Sequence, residues 1–394
     1  MRGSMGMLVG LAAGIAAGVL IPTPWTQVIE PVGLLWFNAL RMTVIPIVMA
    51  QLILGVNSQR EARALGALGI RAFSWFLGLL LAAALVSAAA MGVALRWMPA
   101  VMPVAPVSPP AAAPGLAEWV AGLLPANLIQ AVAEGRLLPL IFFSLLFGAA
   151  LRSVEAGPRQ TLLHAIAAVN EAMLAIVGWV MRLAPFGVAA LSITLFSRLG
   201  SNAAGALGYY VLCFCGIEVA ITAILYPLVA AYRVPLRRWA AAVAPIQALA
   251  FSSRSSMAAL PAMVSAGGNL GFAPIVTRFI LPLGASVFRY STPVSHVTGA
   301  IFLAHLYGIS LSPSQLLLMV ASTLFLSLSS PGIPSGGLLV ALPLFHQLGL
   351  PPEGLGLLIA ADAIPDMCKT AANVTAHMAV AAIVNESASA TLGE

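Results

Sequence analysis

Residues 241–266 and 313–347 are each apolar at both ends and polar in the middle. The first is interrupted by FSSRSSM and the second by SLSSPGIPSGG. Each apolar arm is about half as long as a helix that crosses a bilayer. Each segment is followed by a long apolar stretch, 272–308 and 352–385. Two interrupted hydrophobic segments in matching positions of two halves point to a transporter with its binding site near the membrane midplane. A polar, irregular tip is tolerated at that depth only where it is buried or lines a cavity. Its free N–H groups and the helix N-termini beside it suit a carboxylate. The alternative is a pair of kinked spanning helices. It leaves Ser253, Ser255 and Ser256 around Arg254, and the prolines Pro331 and Pro334, without a reason to be there.

The stretch DAIPDMCKTAANVT carries the second constraint. Asp362, Asp366, Lys369, Thr370, Asn373 and His377 share one face of a helix whose surroundings, LGLLIAA and AVAAIV, suit lipid or protein interior. Ionisable groups at membrane depth are costly and face a cavity or a substrate path. A stripe with both signs of charge therefore predicts a site for a small zwitterion or anion. A bare Asp–Lys pair is the simpler reading, but it does not account for Thr370, Asn373 and His377.

Composition agrees with a polytopic membrane protein: 61% of the 394 residues are hydrophobic and only 8% are charged. The net charge of +6 is spread over short loops, with no basic run of the kind that binds nucleic acid. Cys213, Cys215 and Cys368 make no disulfide framework, and the Cys-Phe-Cys spacing is too short for a zinc or redox motif. No cofactor or metal cluster is expected. The first apolar run, following Arg2, is expected to be a spanning helix and not a cleaved signal. Further spans are expected at about 33–56, 71–96, 137–152, 161–198 and 205–232, with an irregular Pro/Ala-rich loop at 99–115. Arg60, Arg63 and Arg71, then Arg152 and Arg159, then Arg233, Arg237 and Arg238 occupy alternate loops. These loops, and with them the N-terminus, are expected in the cytoplasm.

Five blocks of the chain resemble the glutamate transporter family, the dicarboxylate/amino acid:cation symporters. LRMTVIPIVMAQLILGV is similar to the family's second helix and AEGRLLPLIFFSLLFGAAL to its fourth. AFSSRSSMAALP and PGIPSGG are similar to the tips of its two re-entrant hairpins, and DMCKTAANVT to the eighth-helix motif DMxRTxxNVT. The resemblance implies an all-α inner-membrane protein of eight transmembrane helices and two re-entrant hairpins, with inverted repeats and an elevator mechanism. It implies a homotrimer whose protomers work independently. Residues 1–70 and 99–203 would be scaffold and loop. The third helix, 71–98, and residues 204–394 would move. In the family's pattern Asp366 accepts the substrate ammonium with help from Thr370, and Asn373 binds the α-carboxylate with Ser256. Thr292 and Gly337 lie near the substrate side chain. Asp362 orients the side-chain-reading base, and Arg254 supports that end.

The chain departs from the family at four places. Lys369 replaces an arginine, a point charge in place of a bidentate fork. Phe288, Arg289, Tyr290, Ser291 and Thr292 replace the Asn-Met-Asp-Gly-Thr motif that supplies sodium ligands. His377 replaces an aspartate sodium ligand, and the third helix lacks a Thr-Ser pair. Hard cations need several oxygens, and most of these are gone. Arg289 is therefore expected to act as a tethered cation, neutralising Asp366 or a neighbour; pairing with Glu218 is the alternative. His296 aligns with a glutamate linked to proton movement in eukaryotic members, and histidine titrates near physiological pH. His377 and Glu218 are further ion-coupling candidates. The expected function is proton-coupled, sodium-independent transport of glutamate, aspartate or a close dicarboxylate. Uncoupled exchange or uniport on the same fold, and an anion channel, are the alternatives. No nucleophile–base–orienter group points to an enzyme.

Overall fold

The computed structural model describes residues 2–20, 23–58, 67–98, 124–199, 202–232, 234–328 and 335–392. The loop residues Arg60, Arg63 and Arg233, the 99–115 stretch and residues 329–334 of the second tip lie outside the described residues. The described residues are helical, with no strand among them.

The chain opens with α1 (Arg2–Leu20), α2 (Thr23–Ser58) and α3 (Ala67–Ala94). Then come a short α4 (Leu128–Ala133), α5 (Leu137–Ala150), α6 (Ala156–Arg182) and α7 (Ala184–Leu199). The single span expected at 161–198 is thus two helices. Pro185 explains the break, because it has no N–H to give and disfavours a helical residue before it. After α8 (Asn202–Ala231) comes the first hairpin, α9 (Leu236–Ser253) and α10 (Ser256–Asn269). A π turn at Val276–Ile280 leads into α11 (Leu281–Val287), where Pro282 removes a helical donor. Residues 288–291 leave the helix, and α12 (Thr292–Leu306) resumes with Pro293 in its first turn. The second hairpin follows as α13 (Pro313–Leu328) and α14 (Gly336–Gln347). The expected final span 352–385 is α15 (Pro352–Ala361) and α16 (Ala363–Leu392), broken at Asp362 because Pro365 cannot continue a helix from α15.

Five of the described helices are long and apolar enough to cross a membrane by themselves: Val28–Asn57, Leu68–Trp97, Ala156–Arg182, Gly205–Ala231 and Ala363–Glu386. The first four turn large apolar side chains outward, among them Leu35, Leu81, Trp179 and Leu212. The last, α16, is enclosed by protein through most of its apolar length. An apolar outside around a polar centre is the inverse of a soluble fold.

Helices α1, α2, α5, α6 and α7 pack on one another, while α3 and α8 to α11 pack against α16, and α12 and α13 pack on α3 with α14 beside them. Helices α14 and α15 lie against α2, and α15 also against α7. The tightest seam joins α1 to α7. Gly6, Gly10, Gly14 and Gly18 fall every four residues and form a side-chain-free ridge under Pro185, Ala189, Ser192, Ile193 and Phe196. A Cβ on Gly14 would lie 2.6 Å from Ser192 Cβ, and one on Gly18 would lie 2.8 Å from the Ile193 carbonyl. Gly14→Leu is expected to cost at least the ~1–3 kcal/mol of overpacking and to lower the thermal midpoint in detergent. Gly78→Leu, where a side chain meets open space, is expected to leave the midpoint in place. Equal midpoints for the two variants would contradict this packing.

Candidate functional site

The two hairpins and the broken helices converge on one cavity. Arg254, Ser256, Arg289, Thr292, Gly337, Asp366, Lys369, Thr370 and Asn373 all line it, joined by Ser255, Met257, Ser291 and Ser295. Asp362 lies one shell behind, held by Lys369. Helix α10 starts at the cavity, with Ser255 capping it by accepting from Ala258 N–H. Helix α14 also starts there, at Gly336 and Gly337. Two helix N-termini thus bring unpaired N–H groups and positive dipole ends to the site.

Charged groups are paired tightly on one side. Lys369 Nζ donates to both oxygens of Asp362, at 2.7 and 2.9 Å, and lies 3.5 Å from Asp366 Oδ1. Arg254 reaches across from the hairpin to Asp366 Oδ2, with Nε at 2.8 Å and Nη2 at 2.7 Å. The family pattern puts Arg254 at the side-chain end of a substrate; here it sits on the carboxylate expected to receive the ammonium. Its backbone is left-handed, φ 55°, which costs a non-glycine residue about 1 kcal/mol. The residue also closes α9, donating its N–H to the Ala250 carbonyl.

Arg289 pairs with neither expected partner. Nη1 donates to the Ala285 carbonyl at 2.6 Å, and among the described residues no carboxylate lies within 4 Å of its guanidinium. Its reach is short because the chain has just left α11, so the guanidinium folds back on the helix's own C-terminal end. There it meets carbonyls that have lost their helical donors and the negative end of the dipole.

Asn373 Oδ1 accepts from Ser291 N–H at 3.0 Å, which leaves the Nδ2 donors for another acceptor at the cavity that Asn373 lines. Ser291 Oγ touches Glu218 Oε2 at 3.0 Å and the Lys369 carbonyl at 3.1 Å. The sequence assigned Ser291 no role. The signal was a hydroxyl where the family has glycine, beside an acid inside an apolar helix. Thr370 Oγ1 donates to the Asp366 carbonyl and keeps its lone pairs for a cation. Gly337 faces Thr292, and its carbonyl accepts from His296 Nε2 at 2.7 Å. This bond ties α14 to α12. His377 Nε2 donates in the same way to the Phe288 carbonyl at 2.8 Å. Each imidazole therefore carries its proton on Nε2, and each Nδ1 is buried without a partner among the described residues. A second proton there would create a buried cation with a donor that has no acceptor.

The positions of the replaced sodium ligands are packed, not hollow. Phe288 stacks on Phe76 of α3, with centroids 4.2 Å apart and planes at 25°, and lies 5.7 Å from the His377 ring. Tyr290 turns away to donate to the Ile221 carbonyl of α8. Two phenyl rings and an imidazole are no cage for a hard cation, which needs six or so converging oxygens. These residues do not fit a sodium ion.

The sodium:dicarboxylate symporter family matches residues 4–387. The chain belongs to that family. It is a multi-pass membrane transporter and not an enzyme. The chain is 29% identical over 371 residues to the proton/glutamate-aspartate symporter of Escherichia coli (strain K12), an alignment covering 89% of this chain and 83% of that protein. It is 26% identical over 393 residues to the proton/sodium-glutamate symport protein of Bacillus caldotenax, covering 96% and 93%. It is 30% identical over 426 residues to the human neutral amino acid transporter B(0), covering 94% and 75%. Relatives in the sodium:dicarboxylate symporter family thus carry names that differ in both substrate and coupling ion.

Proposed function

We propose that this chain is a symporter of acidic amino acids, glutamate or aspartate, that runs without sodium and is proton-coupled. The observation that carries the substrate class is the charge of the site. Three cations, Arg254, Arg289 and Lys369, face two carboxylates, Asp362 and Asp366. An acidic amino acid brings one excess negative charge and balances them. With Glu218 protonated, a neutral zwitterion leaves a net positive charge at membrane depth, which opposes movement. The name of the Escherichia coli relative is in keeping with this reading. That of the human relative, a neutral amino acid transporter, is the competing one.

In the proposed binding step the substrate ammonium displaces Arg254 from Asp366, with Thr370 as a second acceptor. The α-carboxylate takes Asn373 Nδ2 and the N-terminus of α10 at Ser256. Arg254, released, turns to the distal carboxylate beside Lys369, which Asp362 orients. Thr292 and Gly337 bound that end. Arg289 supplies the fixed positive charge that an ion supplies elsewhere, and the rings of Phe76, Phe288 and His377 support sodium independence. Loading then allows an elevator step of the α3 and α8–α16 group, residues 71–98 and 204–394, against a scaffold from 1–70 and 99–203. We further propose a homotrimer in the cell inner membrane with a cytoplasmic N-terminus.

The test is competition against labelled aspartate uptake in proteoliposomes. Unlabelled aspartate and glutamate are expected to inhibit at concentrations at least roughly 10-fold below those of serine or alanine, a gap of about 1.4 kcal/mol. Inhibition by serine or alanine equal to that by glutamate would overturn the assignment.

A further inference from the structure

Glu218 lies on α8, in the midst of an apolar span, and is 1% exposed. It stands between two spaces. Through Ser291 it touches the substrate cavity, which Ser291 lines. On its other side it lines a separate groove of about 520 Å³ between α8, α9 and α16, beside Thr222, Tyr226, Gln247 and Cys368. We propose that Glu218 carries the coupled proton, binding it as the acidic substrate binds and releasing it with the substrate. The inference rests on the proton-coupled reading above and assigns the proton a place.

Hydrogen-bond counting supports it. A serine hydroxyl has one proton to donate. Ser291 Oγ nevertheless touches two acceptors, Glu218 Oε2 and the Lys369 carbonyl. The geometry accommodates both forms of Glu218: as the acid it donates to Ser291 while Ser291 donates to Lys369, and as the carboxylate it accepts from Ser291. The ionised form takes the Ser291 proton for itself and leaves the Lys369 contact unmade. Glu218 Oε1 has no partner among the described residues, and none of their cations lies within 4 Å of the carboxyl. A buried charge so placed is expensive, and a proton removes it.

Charge balance supplies the coupling. With Glu218 ionised, the empty site holds three cations and three carboxylates. Adding an acidic amino acid alone makes it negative, and adding a proton alone makes it positive. Adding both restores neutrality. Only the empty and the fully loaded forms cross the membrane core without a net charge. One proton therefore travels with each substrate. The substrate's state reaches Glu218 through three contacts: ligand carboxylate to Asn373, Asn373 Oδ1 to Ser291 N–H, and Ser291 Oγ to the carboxyl. The proton comes from water in the groove, forms an O–H bond on the carboxylate, and returns to water when the site reopens.

The titratable groups around Glu218 are Lys369, Cys368 and Asp362 from the final helices and Tyr290 from the unwound segment. Cys215 and Tyr210 are on its own helix. Lys369 is tied to Asp362. The buried His296 and His377 are held in one tautomer by backbone carbonyls, so neither is placed to take a second proton.

The test is Glu218→Gln in proteoliposomes, which mimics the protonated acid. The wild type is expected to accumulate labelled aspartate when the outside is one pH unit more acidic, by about 10-fold at one proton per substrate. Glu218→Gln is expected to lose that accumulation but keep exchange of labelled for internal unlabelled aspartate, since its loaded form is still neutral. Gradient-driven accumulation equal to wild type in Glu218→Gln overturns the assignment and leaves proton coupling standing. A wild type indifferent to the pH gradient overturns proton coupling itself. Infrared difference spectra provide a second readout should Glu218→Gln fail to fold. Aspartate binding is expected to raise a protonated-carboxyl band in the wild type that shifts in Glu218→Asp. A missing band, or one unmoved in Glu218→Asp, overturns the assignment.

Discussion

Asp366→Asn is expected to weaken aspartate binding by about 100-fold or more. The substitution keeps the shape of the side chain and removes its charge. Two groups depend on that charge. In the empty site the Arg254 guanidinium forks onto Oδ2 at 2.7 and 2.8 Å, and Lys369 approaches Oδ1 at 3.5 Å. In the proposed loaded site the substrate ammonium takes the place of Arg254. Truncating one partner of a buried, hydrogen-bonded charge pair costs about 2–5 kcal/mol, and each 1.4 kcal/mol is a factor of ten. The amide Nδ2 of an asparagine makes matters worse, because it points a donor at an ammonium that needs an acceptor. The half-saturating concentration for aspartate and its dissociation constant by calorimetry read the effect directly. The empty variant is expected to be destabilised as well, since Arg254 keeps its left-handed backbone and loses its carboxylate. A binding constant within a few-fold of wild type would show that Asp366 does not hold the ammonium.

Much of this site was legible because polar residues in an apolar chain have few places to go. Asp366, Lys369, Thr370 and Asn373 repeat at helical spacing, and Arg254 and Ser256 interrupt an apolar arm; all of them line one cavity. What was not legible depends on backbone geometry. The spacing from Asp362 to His377 suggested one unbroken helix face, yet the helix is interrupted at Asp362, and Pro365 was the overlooked sign. Arg289 was expected to find a carboxylate. It found the Ala285 carbonyl, which is free only because the chain leaves α11 at Val287. Ser291 was given no role, because its contacts with Glu218, Lys369 and Asn373 form only where the unwound segment meets α8 and α16. His296 was favoured on its alignment with a proton-linked glutamate and on its titration range. Its bond to the Gly337 carbonyl fixes the tautomer and makes it a tie between α12 and α14.

The second large expected effect is that aspartate uptake does not depend on sodium. Sodium-driven accumulation needs oxygen cages that form with the substrate. Here the rings of Phe76 and Phe288 pack together beside the His377 imidazole, and the Arg289 guanidinium donates to the Ala285 carbonyl, where the family resemblance implies sodium ligands. Replacing all sodium with choline is therefore expected to leave aspartate uptake unchanged within about two-fold, a difference below ~0.5 kcal/mol. The direct measurement is labelled aspartate accumulation in proteoliposomes at zero membrane potential, with a sodium gradient and a pH gradient imposed separately. The account predicts no accumulation from the sodium gradient and roughly 10-fold from one inward unit of pH, the ratio for one proton per substrate. Accumulation that follows sodium and ignores pH would contradict it.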